Sequence, residues 1–346
     1  MSIKTLLAAF LLSFALSVTA ADVQLNPDHP QEYTVVKGDT LWDIASRFLK
    51  DPWRWPDVWQ VNPQIENPHL IYPGDQINLA YDKDGKPILR VKRGRQTVKL
   101  SPTVRESPID RAIPTIPLDA IQQFLTRPLV VSEEQLDSAA YLVAPAGEHL
   151  VVGAGDRIYV RNIKDEKNIR YSIFRKGQEL KSPDSDELLG YEAIFVGEAT
   201  AQRFGDPSTL SVDSTQRHAA IGDRLLPVDE SDVDEFFMPH APKNKVAGHI
   251  IAVDDGVSNI GQYDVVVIDK GKRDGIERGH VLEVFQTGEK VLDHVTPELN
   301  DRVKLPDEKA GLLMVFRTFD KVSYALVMKA TTNFHVLDGV RNPDNL

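Results

Sequence analysis

The stretch that decides the fold runs Tyr33-Thr-Val-Val-Lys-Gly38-Asp39-Thr40-Leu41-Trp42-Asp-Ile44-Ala45-Ser-Arg-Phe48. Tyr33 to Val36 is short and rich in β-branched residues, which reads as a strand, and Gly38-Asp39 marks the turn that ends it. Thr40 and Asp43 stand three apart, a helix start signal resembling a capping box. Leu41, Ile44, Ala45 and Phe48 then follow at the spacing of one apolar helix face. Pro56 fits the first turn of a second helix carrying Val58, Trp59 and Val61. Asn62-Pro63 ends that helix, because the residue before proline is pushed out of the helical region. Tyr72-Pro73-Gly74-Asp75 turns the chain into a closing strand, Gln76 to Leu79. The predicted order is strand, helix, helix, strand.

Around this core the chain has 346 residues, no cysteine, and 51 acidic against 40 basic side chains, for a formal charge of −11. That length suffices for two or three domains with separate cores. The acidic balance argues against nucleic acid as a partner, since phosphate binding takes clustered Lys and Arg. The lack of cysteine excludes disulfides, thiol nucleophiles and Cys-type zinc sites. Lys4, the apolar run Leu6 to Val18 and Thr19-Ala20-Ala21 read as a secretory signal peptide over residues 1–21. Cleavage after Ala20 and cleavage after Ala21 both fit. The run is short for a membrane span, which takes about 20 residues. The expectation is an exported, periplasmic protein with no transmembrane segment after cleavage.

The tryptophans Trp42, Trp53, Trp55 and Trp59 all fall in the N-terminal segment. Its pattern Tyr33-x-Val-x-x-Gly-Asp-Thr-Leu-Trp42-x-Ile-Ala45, then Asn62-Pro63, then Leu70-Ile-Tyr-Pro-Gly74, resembles a LysM module. The departure from that family is the insertion Lys50-Asp-Pro-Trp-Arg-Trp-Pro-Asp57 between the helices. The resemblance implies a βααβ fold that binds N-acetylglucosamine-containing glycans such as peptidoglycan. It also implies a groove between the loop after the first strand and the loop after the second helix. By position these are Gly38, Asp39, Thr40 and Leu41 on one side, with Asn62, Pro63, Gln64, Ile65 and Asn67 on the other. Gly38 would let the backbone approach a ligand closely, or simply serve the turn. Trp42 and Trp59, at helical positions, read as core. Trp53 and Trp55, in the insertion, read equally as packed residues or as additional ligand contacts.

Residues 82–105 carry eight bases against two acids, which reads as a solvated linker and hairpin surface or as a contact for an anionic partner. Prolines recur from Pro108 to Pro128 around an amphipathic stretch, Leu118 to Thr126, and Ser132-Glu-Glu-Gln135 looks like a capped short helix. This region is expected to bridge onto the domain that follows. Beyond Tyr141, eight short apolar runs bounded by Gly, Pro and Asp predict strands, arranged in small barrels or sandwiches. They are Ile158–Val160, Tyr171–Phe174, Ala193–Val196, Leu210–Val212, Val265–Ile268, Val281–Phe285, Leu312–Phe316 and Tyr324–Val327. A weak internal repeat aligns Phe174 to Gly177 with Phe285 to Gly288, Gly190 with Gly311, and Gly222 with Gly339.

The fold class is therefore α+β, a βααβ module followed by mainly-β domains. The expected segments are 31–80 for the glycan module, 81–140 for the connector with bridging helices, 141–230 for the first β-rich domain and 245–346 for the second. Tyr263 to Gly271 and Gly275 to Phe285 are similar to the C-terminal domain of FlgT-like flagellar proteins. With the module in front, the whole chain resembles the secretin-associated LysM proteins of type IV pilus systems (TsaP-like). That resemblance implies a module on peptidoglycan and a β-rich remainder on the outer-membrane secretin ring.

An enzyme is the poorer reading. Without cysteine the thiol-dependent wall enzymes are out, and the nine histidines form neither His-x-His nor His-Glu-x-x-His. No Ser-x-x-Lys and no Gly-x-Ser-x-Gly is present. A glycosidase needs only two carboxylates, so a wall hydrolase with an unrecognised pair stands as the alternative, beside a flagellar basal-ring accessory protein. Pro183-Asp184-Ser-Asp186-Glu187 reads as a hairpin tip, since it lacks the ligand spacing of a calcium loop. No metal and no cofactor is expected.

Overall fold

The chain is punctuated by one turn used repeatedly. In Val36–Asp39, Tyr72–Asp75, Gly153–Asp156, Ala220–Asp223, Gly261–Asp264 and His335–Asp338, the first residue's N–H donates to the aspartate carboxylate at 2.7–3.0 Å. The aspartate N–H donates back to the first residue's carbonyl. The residue before the aspartate takes a positive φ, as in a type II turn: Gly38, Gly74, Gly155, Gly222, and also Tyr263 and Leu337. Five of these turns lead directly into a strand; the first leads into a helix.

The computed structural model describes residues 23–59, 70–93, 112–127, 130–147, 151–228, 236–253, 259–296 and 301–343. The expected signal peptide, Val61, Asn62-Pro63 and most of the basic stretch beyond Arg93 lie outside them.

In the N-terminal module, β1 (Glu32–Thr34) pairs antiparallel with β2 (Gln76–Tyr81), Tyr33 opposite Ile77. Helix α1 (Leu41–Phe48) starts at Thr40, whose hydroxyl accepts from the Asp43 N–H while Asp43 accepts from the Thr40 N–H. Leu41, Ile44, Ala45 and Phe48 are buried with Ile71, Ile77 and Leu89. Two features differ from the sequence reading. The second helix is a single turn, α2 (Trp55–Val58), entered from a 3-10 turn at Pro52–Arg54, so the insertion is itself the helical segment. Trp59 is already extended and pairs with Leu89. The sheet also gains a third strand, β3 (Pro87–Lys92), built from the start of the basic stretch. Arg90 and Lys92 thereby stand on an edge strand, the hairpin-surface alternative.

Beyond the module come α3 (Leu118–Thr126), β4 (Val130–Val131) and α4 (Glu133–Ser138), the last with the expected Ser132 cap. Strands β5 (Ala140–Pro145), β6 (Arg157–Arg161), β7 (Arg170–Lys181), β8 (Leu188–Arg203), β9 (Ser208–Thr215) and β10 (Arg224–Pro227) follow. They pair in the ring β5-β6-β9-β8-β7-β10 and back to β5, with β4 added outside on β8. A second set is β11 (Ala247–Val253), β12 (Val265–Ile268), β13 (Val281–Gln286), β16 (Glu308–Thr318), β17 (Ser323–Ala330) and β18 (Gly339–Arg341). Between β13 and β16 stands a hairpin of β14 (Lys290–Leu292) and β15 (Arg302–Lys304). The second ring closes as β11-β12-β17-β16-β13-β18. Ranked along the chain, both barrels run first, second, fifth, fourth, third, sixth. All eight strand runs expected from the sequence lie within strands of these rings.

The barrels match in detail as well as in order. The Leu142 N–H reaches Asp223 O while Gly222 N–H reaches Leu142 O, and Ile250 makes the same exchange with Asp338 and Leu337. Val212 bonds Gly155 and Asp156 as Val327 bonds Tyr263 and Asp264. These contacts correct the repeat alignment. Phe174 and Phe285 correspond, each pairing with the residue after its turn aspartate, Arg224 and Gly339. Gly311, however, corresponds to Gly197 rather than Gly190: each faces the residue before that Phe, and a Cβ at either would strike a neighbouring strand's carbonyl. Gly222 corresponds to Leu337, not Gly339, because the turn's positive φ sits there.

The second barrel is covered on its outside too. Val265, Val267, Leu312, Met314, Phe316, Tyr324, Leu326 and Met328 form one buried cluster with Trp42 and Trp53, with Ile116, Ile121 and Phe124, and with Leu180 and Leu189. Burial on both faces accounts for the unbroken apolar runs Val265–Ile268 and Leu312–Phe316. Helix α3 therefore packs onto the second barrel, while Leu180 and Leu189 in the same cluster, and β4 on β8, tie the region to the first barrel that follows it in sequence. Arg317 clamps its end by donating to Phe124 O and Leu125 O at 3.0 Å. Strands β12 and β13, adjacent in sequence, are not neighbours in the ring. The 183–187 segment is the β7–β8 hairpin tip, and Glu187 docks it onto Arg273 (2.7 Å) and Lys321 (2.9 Å) of the second barrel.

Asp223 is buried and takes bonds from Ala220 N–H and, through both oxygens, from Arg175. Asp223→Ala is expected to lower unfolding stability by about 2 kcal/mol in urea titration, the scale of a charged hydrogen bond lost in a buried turn. In the second barrel, burial and then the neighbouring His240 hold the His280 imidazole down at about 4, against an opposing pull from Glu277. The unfolded chain takes up that proton near pH 6.5 and the folded one only near 4. Stability is therefore expected to fall as pH drops through that window. His280→Gln, keeping an acceptor for the Glu277 N–H, is expected to flatten the dependence of the urea midpoint on pH.

Candidate functional site

The Val36–Asp39 turn and the cap of α1 bring Gly38, Asp39, Thr40 and Leu41 to one corner of the module. Their side chains are already committed. The Asp39 carboxylate accepts from Val36 N–H (2.8 Å) and Tyr33 OH (2.9 Å). The Thr40 hydroxyl donates to Asp43 Oδ2 at 2.7 Å. Leu41 points into the module core. Gly38 lies exposed at φ +98°, which the turn requires, and a Cβ there would meet no protein atom. What this corner can offer a ligand is backbone: the Leu41 and Trp42 N–H groups, at the first turn of α1, where no intrahelical partner exists.

Both donors point at a neighbouring segment of the same chain. Leu41 N–H bonds Pro114 O at 2.9 Å and Trp42 N–H bonds Thr115 O at 3.1 Å. On the opposite side Ile113 N–H bonds Ile71 O at 2.8 Å. Residues 112–116 thus run between the start of α1 and the segment that precedes β2. The second wall expected from the sequence, Asn62, Pro63, Gln64, Ile65 and Asn67, lies outside the described residues.

The tryptophans are packed. Trp55 is buried in the module core and meets Trp59 edge-on at 5.9 Å between centroids. Trp53 is buried with Trp42 in the cluster shared with the second barrel. Of the two readings for Trp53 and Trp55, the packed one describes them, because the insertion folds inward as helical turns. Tyr263 of the second barrel adds a contact at this corner, its hydroxyl donating to Asp43 Oδ1 at 3.3 Å. Burial and Asp43 push that phenol up from its ordinary range.

Sequence reasoning missed Ile71 and Ile113 to Ile116. The available signal was Ala112-Ile-Pro-Thr-Ile-Pro117, apolar residues between prolines. Proline favours extended backbone before it and leaves carbonyls free to accept. That pattern says extended but names no partner.

Two groups of titratable side chains gather elsewhere, His240 with Glu277 and His280, and Asp184 with His249 and Asp269. His280 Nδ1 accepts the Glu277 N–H at 3.0 Å, which leaves its proton on Nε2 when neutral, so that nitrogen has no lone pair for a cation. Asp269 Oδ1 accepts the His249 backbone N–H at 2.7 Å, and its Oδ2 faces the Lys270 ammonium at 3.5 Å.

Residues 33–80 match the family model described as LysM domain. An uncharacterized protein of Bacillus subtilis (strain 168), YqbP, is 40% identical over a stretch that covers 14% of this chain and 27% of that relative. The chain thus spans about a quarter of the length of the curated relative it matches. Among the described residues no helix is long and apolar enough to cross a membrane. A LysM domain implies binding of peptidoglycan or related carbohydrate and suggests a cell-wall-associated place, periplasmic or extracellular. The chain carries such a domain at residues 33–80.

Proposed function

We propose that the protein is a non-catalytic periplasmic peptidoglycan-binding protein that aligns an envelope assembly on the cell wall. The observation that carries the binding half is the LysM domain over residues 33–80. In this reading the glycan lies between Gly38, Asp39, Thr40 and Leu41 on one wall and Asn62, Pro63, Gln64, Ile65 and Asn67 on the other. Asp39 and Thr40 act by shaping the corner, and the Leu41 and Trp42 N–H groups meet N-acetyl carbonyls. One such groove gains little from a small polar ligand after desolvation. Retention on the wall comes from several copies held in one assembly.

The two barrels supply the other half of the proposal. We take the outer-membrane secretin ring of a type IV pilus system as their partner. What supports a protein contact is the β14–β15 hairpin, where Val291 and Val303 are cross-strand partners and, with Leu292 and Leu305, are exposed. Exposed aliphatic side chains on a two-stranded hairpin are surface that a partner would cover. Residues 1–21 serve as the export signal, and the stretch 81–140 joins the glycan module to the barrels.

Purified protein mixed with peptidoglycan sacculi is expected to co-sediment without releasing soluble muropeptides. Soluble fragments would instead establish a wall hydrolase. Cross-linking in cells is expected to capture the secretin; capture of a flagellar basal-ring protein in its place would move the assembly.

A further inference from the structure

We infer that residues 112–116 form a strap over the start of α1, so that a glycan reaches the Leu41 and Trp42 N–H groups only by displacing part of the chain itself. The inference rests on the glycan reading of this module and adds how the site is regulated. The geometry behind it is direct. The strap's carbonyls at Pro114 and Thr115 take the N–H groups of Leu41 and Trp42, and its Ile113 N–H takes the carbonyl of Ile71 on the other side. An amide carbonyl of an N-acetyl group is the same acceptor as a peptide carbonyl. Strap and glycan therefore compete for the same two donors.

Packing holds the strap in place. Ile113 is buried in the module core beside Leu41 and Ile71. Ile116 is fully buried beside Trp42 and Trp53, in the cluster that continues into the second barrel. Immediately downstream, α3 is clamped by Arg317 of that barrel. Being part of the same chain, the strap works at a high effective concentration. One feature works against it. The Thr115 hydroxyl is buried and finds no hydrogen-bond partner among the described residues. Burying a hydroxyl without a partner is costly, and release of the strap returns it to water. The closed state is thus anchored at Ile113 and Ile116 and weakened at Thr115 between them.

The test is the affinity of the full-length protein for the N-acetylglucosamine tetramer, measured by calorimetry for the wild type and two variants. Ile113→Ala loosens the strap and is expected to bind about tenfold more tightly, because apparent affinity scales with the fraction of open grooves. Thr115→Val keeps the shape, removes the unpartnered hydroxyl and is expected to bind more weakly than wild type. Opposite shifts from two conservative changes are not produced by general loss of structure. Equal affinities in all three proteins would overturn the strap while leaving glycan binding intact. No binding in any of them would overturn the glycan reading and the strap with it. Should Ile113→Ala fail to fold, amide exchange on the wild type decides. Saturating tetramer is expected to expose the Ile113 amide while keeping Leu41 protected, and an Ile113 amide that stays protected with tetramer bound would refute the strap.

Discussion

The aspartate-anchored turn is the constraint on which the rest of this protein hangs. A carboxylate that accepts the N–H three residues earlier fixes both ends of a reversal, and the strand or helix after it starts in a set direction. Two such turns define the module, at Asp39 and Asp75, and two more define each barrel, at Asp156 and Asp223 and at Asp264 and Asp338. Where glycine is absent, as at Tyr263 and Leu337, the positive φ persists. The carboxylate and the paired neighbours hold the backbone in a conformation that the side chain disfavours.

That recurrence explains which parts of the fold could be read from residues alone. Gly38-Asp39, the Thr40–Asp43 cap and the spacing of Leu41, Ile44, Ala45 and Phe48 are local signals, and α1 follows them residue by residue. The same holds for α3 and for the cap at Ser132. The repeat was visible as order but not as register. Glycine is the marker visible in the sequence, whereas the aspartate is what the two barrels share, and Leu337 stands where the first barrel has Gly222. Which strands become neighbours depends on ring closure, a long-range matter that no short window of sequence contains.

The candidate site divides in the same way. Its corner was legible because the family motif lies on consecutive residues. Its occupant was not, because Ile113 to Ile116 reach the groove from some seventy residues beyond the turn they cover, through contacts that leave no periodic trace. The tryptophans show the converse. Trp53 and Trp55 sit in an insertion that looks like a loop by composition, yet Pro52 and Pro56 start helical turns and carry both indoles inward.

The hairpin between the third and fourth strands is built twice and used differently. In the first barrel its tip is pinned across to the second through Glu187, Arg273 and Lys321. In the second barrel the corresponding arm, β14–β15, makes no such clasp among the described residues. Two copies of one barrel joined by a one-way clasp acquire a polarity that neither has alone. Among the described residues one arm is latched and the other is open, so a neighbour that met the shared barrel shape would find the two copies unequal.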